Sequence, residues 1–255
     1  MLDNVLIARD GDFATITMNR PERRNALSRD HIRDLHAAFE EVAAGDAAGV
    51  VLAGAGPVFS AGHDLAEVAA AGIDEVRALL RSCADLVQLI ESIPQPVVAR
   101  VHGLATAAGC QLVAACDLAV AVPSAGFAAP GGKGGWFCHT PMVAIARNVG
   151  RKRAAEIALT GDAITAEQAL EWGLINRVVP EQELDNEVRH LLTRATRGSR
   201  QSKATGKATL HEQLSMPEAA AYDLAVQIMA EASQTAGARE GMAAFVAKRH
   251  PVWTD

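Results

Sequence analysis

Two short stretches hold most of the residues that could do chemistry: Phe59–Leu65, FSAGHDL, and Val101–Asp117, VHGLATAAGCQLVAACD. Each reads as a strand exit, a few small residues and then a helix start. Alanine and glycine at such a junction let bare backbone N–H groups crowd around one small anionic oxygen, with the positive end of a helix behind them. The chemistry this predicts is stabilisation of an oxyanion by main-chain donors. Side chains able to move a proton are few: His63 in the first stretch, and Lys133, Cys138 and His139 in GGKGGWFCHT. Imidazole suits general-base work near pH 7, which makes His139 a candidate beside the site, with Trp136 and Phe137 as an apolar wall. Gln111 donates and accepts hydrogen bonds but cannot shuttle a proton at neutral pH. Cys110 and Cys116 read as core, Asp117 as structural, and His102 as satisfying the backbone of a tight strand exit.

Other chemistries are excluded by what the chain lacks. There is no G-x-x-x-x-G-K-[ST] loop, and Gly54-Ala55-Gly56 is followed by Pro57-Val58-Phe59 with no third glycine to complete a dinucleotide loop. Neither H-E-x-x-H nor G-x-S-x-G occurs, and no paired His/Cys spacing suggests a metal. A net charge of −6 offers no basic field for nucleic acid. No apolar run approaches the ~18 residues of a membrane span. With 49% hydrophobic and 21% charged residues, the chain is an ordinary globular one; aromatics at 4% leave Ala, Val, Leu and Ile to build the core. Cys83, Cys110, Cys116 and Cys138 lie in or beside apolar segments without a C-x-x-C pair, the pattern of reduced buried thiols. The start MLDNVLIARD carries Asp3 and Asp10 and no basic n-region, so neither a secretory signal nor a transit peptide is expected there. A cytoplasmic protein is the expectation.

The elements that must position the two loops follow from periodicity. Asp10-Gly11 between Val5–Arg9 and Phe13–Asn19 predicts a hairpin. Ser28 caps a helix over about Arg29–Ala44, with Ile32, Leu35, Phe39 and Val42 at helical spacing. Buried strands are expected at Gly49–Ala53, Val97–Val101 and Leu118–Val122, with helices near Asp64, over Asp74–Ser92 and over Ala107–Cys116. Strand, helix, strand in repetition predicts βαβ units and a largely parallel sheet. From Pro141 onward helices dominate, over Pro141–Val149, Arg151–Thr160, Ala166–Trp172, Leu184–Arg197, Ser199–Leu214, Pro217–Ser233 and Ala236–Arg249, with one short strand at Ile175–Val179.

FSAGHDL and GLATAAGCQLVAACD resemble the two signature loops of the enoyl-CoA hydratase/isomerase (crotonase) family. The similarity extends through NRPERRNALS, VLAGAGPVFSAGHDLAEV, GRKRAAEIALTGDAITAEQALEWGLINRVVP and EGMAAFVAKRHPVW. The resemblance implies an α/β fold, a crotonase-like spiral of ββα units with a helical C-terminal extension. Residues 1–195 would form the core and 196–255 an oligomerisation region within one family domain. It implies binding of an acyl-CoA, with coenzyme A as part of the substrate and no separate cofactor or metal. The backbone N–H groups of His63 and Ala108 would hold the thioester oxygen, with Gly109 leaving room. Backbone groups of His63, Asp64, Leu65 and Ala66 would hold the adenine end, Arg23 and Arg24 would meet the phosphates, and Ala61 is a further substrate- or coenzyme-A-binding residue. Lys248 would reach a neighbouring subunit's ligand in a homotrimer or hexamer. No nucleic acid or membrane partner is implied.

The sequence departs from the family where hydration is concerned. Hydratases that it resembles use two glutamates, an acid and a base around one water. Their positions fall here on Gln111 and about Pro130, and no Asp or Glu lies anywhere between Ser124 and Ala154. Weak or absent hydration of crotonyl-CoA is expected. The alternatives are a different thioester reaction (isomerisation, decarboxylation or hydrolysis) or non-catalytic acyl-CoA binding.

Overall fold

A computed structural model describes residues 2–254. β1 (Val5–Asp10) and β2 (Phe13–Met18) pair antiparallel, Val5 opposite Met18. The Ser28 hydroxyl caps α1 (Arg29–Ala44) by accepting the His31 N–H at 3.2 Å, and α1 buries Ile32, Leu35, Phe39 and Val42 against the sheet. β3 (Gly49–Gly54) then runs parallel to β2, Phe13 opposite Gly49. After α2 (Leu65–Ala70), the long α3 (Ile73–Ser92) buries Leu79, Cys83, Leu86, Val87 and Ile90. β4 (Val97–Val101), β5 (Ala105–Thr106), α4 (Ala108–Ala115), β6 (Leu118–Ala121) and β7 (Gly126–Ala128) follow. All eight residues of α4 are buried, so the site's central helix runs through the core.

The remainder is α5 (His139–Val149), α6 (Arg151–Thr160), β8 (Ile164–Thr165), α7 (Ala166–Trp172), β9 (Arg177–Val178) and α8 (Leu184–Ala195). α9 (Arg200–Gln213), α10 (Glu218–Ala232) and α11 (Ala236–Val246) end the chain. The main sheet has the order β1-β2-β3-β4-β6-β9, parallel from β2 onward. Its inner strands read VVLA, VVARV and LAVA because helices cover both faces and leave no polar side. β5, β7 and β8 form a second, three-stranded sheet.

That second sheet is the main departure from expectation. Strands of two or three residues carry no periodicity to read, so the exit loop after His102 conceals β5. α5 begins at His139, two residues before Pro141, because proline in a first turn lacks only an N–H that would have no helical acceptor. The C-terminal helices are each a few residues shorter than their apolar patterns, and the last strand shrinks to Arg177–Val178.

α9 is tied to the core by a polar anchor. The Lys207 ammonium donates to Ile90 O (2.9 Å) and Gln95 O (3.0 Å) and pairs with Asp117 (2.7 Å). Asp117 also accepts the Val97 N–H at 2.7 Å and faces His211 at 3.6 Å. It is structural, as expected.

Candidate functional site

The loop between β3 and α2 is held in place by Asn25, a fully buried residue at φ +52. Its amide Nδ2 donates to the carbonyls of Ala55 (2.8 Å), Val58 (3.1 Å) and Phe59 (3.0 Å), and its Oδ1 accepts the Arg20 N–H. The Ser60 hydroxyl donates back to Asn25 O at 2.9 Å. Leu27 N–H donates to Gly62 O and Asp64 N–H to Leu27 O, a bridge that spans His63. Asparagine is among the few non-glycine residues that visit this left-handed region readily, the one signal in the sequence that could have marked Asn25.

On the other side, Thr106 N–H donates to Ser60 O and Ala107 N–H to Ala128 O, both through the small second sheet and its edge. Ala107 takes φ +50, ψ −119 just ahead of α4, a conformation that costs on the order of 1–3 kcal/mol in a non-glycine residue. The turn brings the start of α4 against Gly62, where an added Cβ would stand 3.1 Å from the Ala108 nitrogen. Gly109 is pressed just as closely, its position for a Cβ being 2.4 Å from Ser60 O. The backbone N–H groups of His63 and Ala108 are thus neighbours, and neither donates to any acceptor among the described residues.

His63 and Ala107, the residue ahead of Ala108, line a cavity of about 360 Å³. Its lining includes Ala61, His63, Leu65, Thr106, Ala107, Pro130, Trp136, Phe137, Cys138, His139 and Thr140. Among the described residues no carboxylate lines it. His63 is 8% exposed, its Nε2 has no hydrogen-bond partner, and burial pushes its imidazole down to about 4. Its ring centroid lies 6.1 Å from that of Trp136. Burial raises the Cys138 thiol, and burial drives Cys110 up to about 12, so both stay protonated near neutrality. His139 opens α5 with an exposed ring 4.9 Å from Phe137.

The remaining candidates are distributed unevenly. Asp64 is buried, caps α2 by accepting the Ala66 N–H at 3.3 Å, and pairs with Arg20 (3.6 Å) and Arg23 (3.5 Å). Arg23 is therefore half committed to a carboxylate beside the cavity mouth. Arg24 sits at φ +53, closing the short 3-10 turn Pro21–Arg23 and accepting the Ala61 N–H on its carbonyl. Lys248 follows α11 at φ +52 and does not line the cavity. Gln111 lies one turn along α4 from Ala108, 3% exposed, with Oε1 unpartnered. It lines a neighbouring cavity of about 650 Å³ among α3, α4, α5 and α9, which meets the first at Thr140. Pro130 stands in the wall of the first cavity and starts a 3-10 turn. Asn25 and Thr106, whose hydroxyl donates to Ala61 O at 3.1 Å, were not foreseen. Among the described residues no cluster could hold a metal ion, and no helix is long and apolar enough to cross a membrane.

Residues 9–255 match the family described as Enoyl-CoA hydratase/isomerase. A protein of Rattus norvegicus named enoyl-CoA hydratase domain-containing protein 3, mitochondrial, is 44% identical over 241 residues, 94% of this chain and 80% of that one. A crystal structure of an enoyl-CoA hydratase from Mycobacterium smegmatis superposes with a TM-score of 0.95 at 43% identity, covering 99% of each chain. That of human enoyl Coenzyme A hydratase domain-containing protein 3 gives 0.94 at 40% identity, over 98% of this chain and 100% of the other. The crotonase-like α/β fold is therefore the one expected. The expected cytoplasmic location is corrected: relatives from Rattus norvegicus, Mus musculus and Homo sapiens, 44%, 43% and 41% identical, are named as mitochondrial. Buried reduced thiols do not distinguish one reducing compartment from another, which is why that expectation failed.

Proposed function

The chain belongs to the enoyl-CoA hydratase/isomerase family, and from that premise we propose that it binds an acyl-CoA thioester and stabilises its enolate. The thioester oxygen sits between the backbone N–H groups of His63 and Ala108. The observation that carries this reading is the pair of unused N–H groups, of His63 and Ala108, brought together at Gly62 and Ala107 beside an apolar cavity that His63 and Ala107 line. Two fixed donors in a water-poor site favour the charge that develops on the oxygen more than they favour the neutral ester, which lowers the barrier to enolate formation. Gly109 lets α4 lie close enough for its positive end to add to the effect.

The acyl chain lies against Trp136 and Phe137, and the coenzyme A portion passes Ala61, Leu65 and Ala66, with Arg23 and Arg24 toward its phosphates. Coenzyme A belongs to the substrate, and the proposed step runs without a resident cofactor. Hydration is not the favoured reaction, because adding water needs an acid and a base and no carboxylate among the described residues lines this cavity. A thioester reaction through an enolate, such as double-bond isomerisation in fatty-acid metabolism, fits better. The same lack of carboxylates also favours a second reading, an acyl-CoA binder without turnover. Assembly as a trimer or a dimer of trimers is supported by exposed apolar side chains on the last three helices, among them Leu210, Val226, Met229 and Phe245. In such an assembly Lys248 would face a neighbour's ligand.

The test pairs calorimetric binding of crotonyl-CoA and acetyl-CoA with loss of the enoyl absorbance. Binding with slow or no hydration is expected. Hydration at the rate of a competent hydratase would overturn the argument from missing carboxylates, and absence of binding would overturn the site.

A further inference from the structure

The enolate reading supplies donors for an oxygen and leaves the proton without an acceptor. Among the described residues three titratable side chains line the cavity: His63, Cys138 and His139. Cys138 is kept a neutral thiol by burial. His139 stands exposed, its ring tilted at 52° to that of Phe137. His63 is of another kind. It is more than nine-tenths buried, its ring faces Trp136, and its Nε2 has no partner, although the surrounding loop is otherwise closely hydrogen-bonded. A buried polar atom left unpaired calls for an explanation, and of the five such side chains among the described residues only His63 lines this cavity.

We propose that the imidazole of His63 is the general base of this site, removing the α-proton of a bound acyl-CoA while the backbone N–H of the same residue holds the thioester oxygen. The proposal rests on the enolate reading given above. The α-carbon is two bonds from that oxygen, so a base and an oxygen donor carried by one residue are positioned together by one stretch of backbone. In the step, the α C–H bond breaks and its electron pair becomes the enolate double bond. The carbonyl π pair moves to the oxygen between His63 and Ala108, and the proton goes to Nδ1, the ring nitrogen that keeps access to the cavity, while Nε2 is sealed inside the protein. Reprotonation at the α-carbon reverses the step; at the γ-carbon of an unsaturated chain it completes an isomerisation. No further reactant is consumed.

Basicity and charge agree with this role. Burial holds the ring neutral at pH 7 with a free lone pair, and at about 4 its basicity equals that of an ordinary carboxylate, the base type that Gln111 and Pro130 displace. The imidazolium forms beside an enolate, so the step creates an ion pair instead of an isolated buried charge.

The experiment is α-hydrogen exchange of butyryl-CoA in D2O, followed by NMR, on the full chain and on His63→Gln and His63→Ala, with calorimetric binding of butyryl-CoA alongside. Both variants keep the backbone N–H. Exchange by the wild type, lost roughly a hundredfold or more in the variants while binding persists, is the expected result. The wild-type rate should be level from pH 8 down to pH 5.5; a rate that halves near the ordinary histidine value of about 6.5 would assign an exposed imidazole and overturn the proposal. Variants that exchange at the wild-type rate would remove His63 and leave the enolate reading standing. A wild type that binds without exchanging would bring down both.

Discussion

Gly62 and Ala107 touch across the two loops: a Cβ on Gly62 would stand 2.9 Å from that of Ala107 and 2.9 Å from the carbonyl oxygen of Thr106. Both residues have positive φ, +81 and +50, so two left-handed turns face each other where the His63 and Ala108 N–H groups meet. Gly62→Ala is expected to force these turns apart. Stability should fall by about 1–3 kcal/mol, and any enolate-dependent rate by a hundredfold or more. Thermal unfolding and α-hydrogen exchange, measured on one preparation, check both halves.

Asn25 carries a prediction about positioning. Asn25→Ala removes donors from three backbone carbonyls and an acceptor from Arg20 N–H, in a fully buried position at φ +52. A loss on the order of 3 kcal/mol is expected in urea unfolding. Asn25→Gly, which tolerates the backbone but not the hydrogen bonds, should recover only the smaller, conformational share.

His63 makes stability depend on pH. Its folded value, about 4, lies below the unfolded value of 6.5, so the unfolded chain binds more protons between them. The contribution is present in full above pH 6.5 and is lost as pH falls toward 4, by about 3 kcal/mol in all. Buried His31 is lowered as well and acts in the same direction, while His211, raised chiefly by its hydrogen bond to Asp117, acts in the opposite one. Urea midpoints of wild type and His63→Gln, compared from pH 7 to pH 4.5, should converge as the pH drops. Parallel curves would refute the assignment.

Gln111→Glu should not create a hydratase. The new carboxyl would lie 3% exposed with no cation hydrogen-bonded to it, and Pro130 in the wall of the first cavity supplies no second acid. Burial raises the folded value of such an acid, so the variant should be destabilised relative to wild type as pH rises from 4 to 7, with crotonyl-CoA hydration unchanged. A gain of hydration would show that one carboxylate at this place is enough.

What was legible in the sequence was local. Ser28 before Ile32, Leu35, Phe39 and Val42 announces α1, and the small residues on either side of Gly62 and Gly109 announce two close-approach loops. Residues whose role depends on distant partners were not legible: Asn25 acts on a loop about thirty positions away, and β5, β7 and β8 exist only by pairing with one another. The side of α4 on which Gln111 would open could not be read either, since all of that helix is buried and its small residues show no amphipathic stripe. His63 was visible as a residue type, but its isolation from hydrogen-bond partners was not.

The last helices have a consequence for how the molecule breathes. α9 and α10 bury none of their residues, and α11 buries only Ala244. In a single chain, Lys207 is the main tether that holds this segment to Asp117 and the end of α3. Sub-global opening of α9–α11 should thus cost far less free energy than unfolding of the sheet, so their amides would exchange with solvent while those of α4 stay protected. Subunit association would slow that exchange, making the protection of these helices a gauge of assembly that leaves the thioester cavity undisturbed.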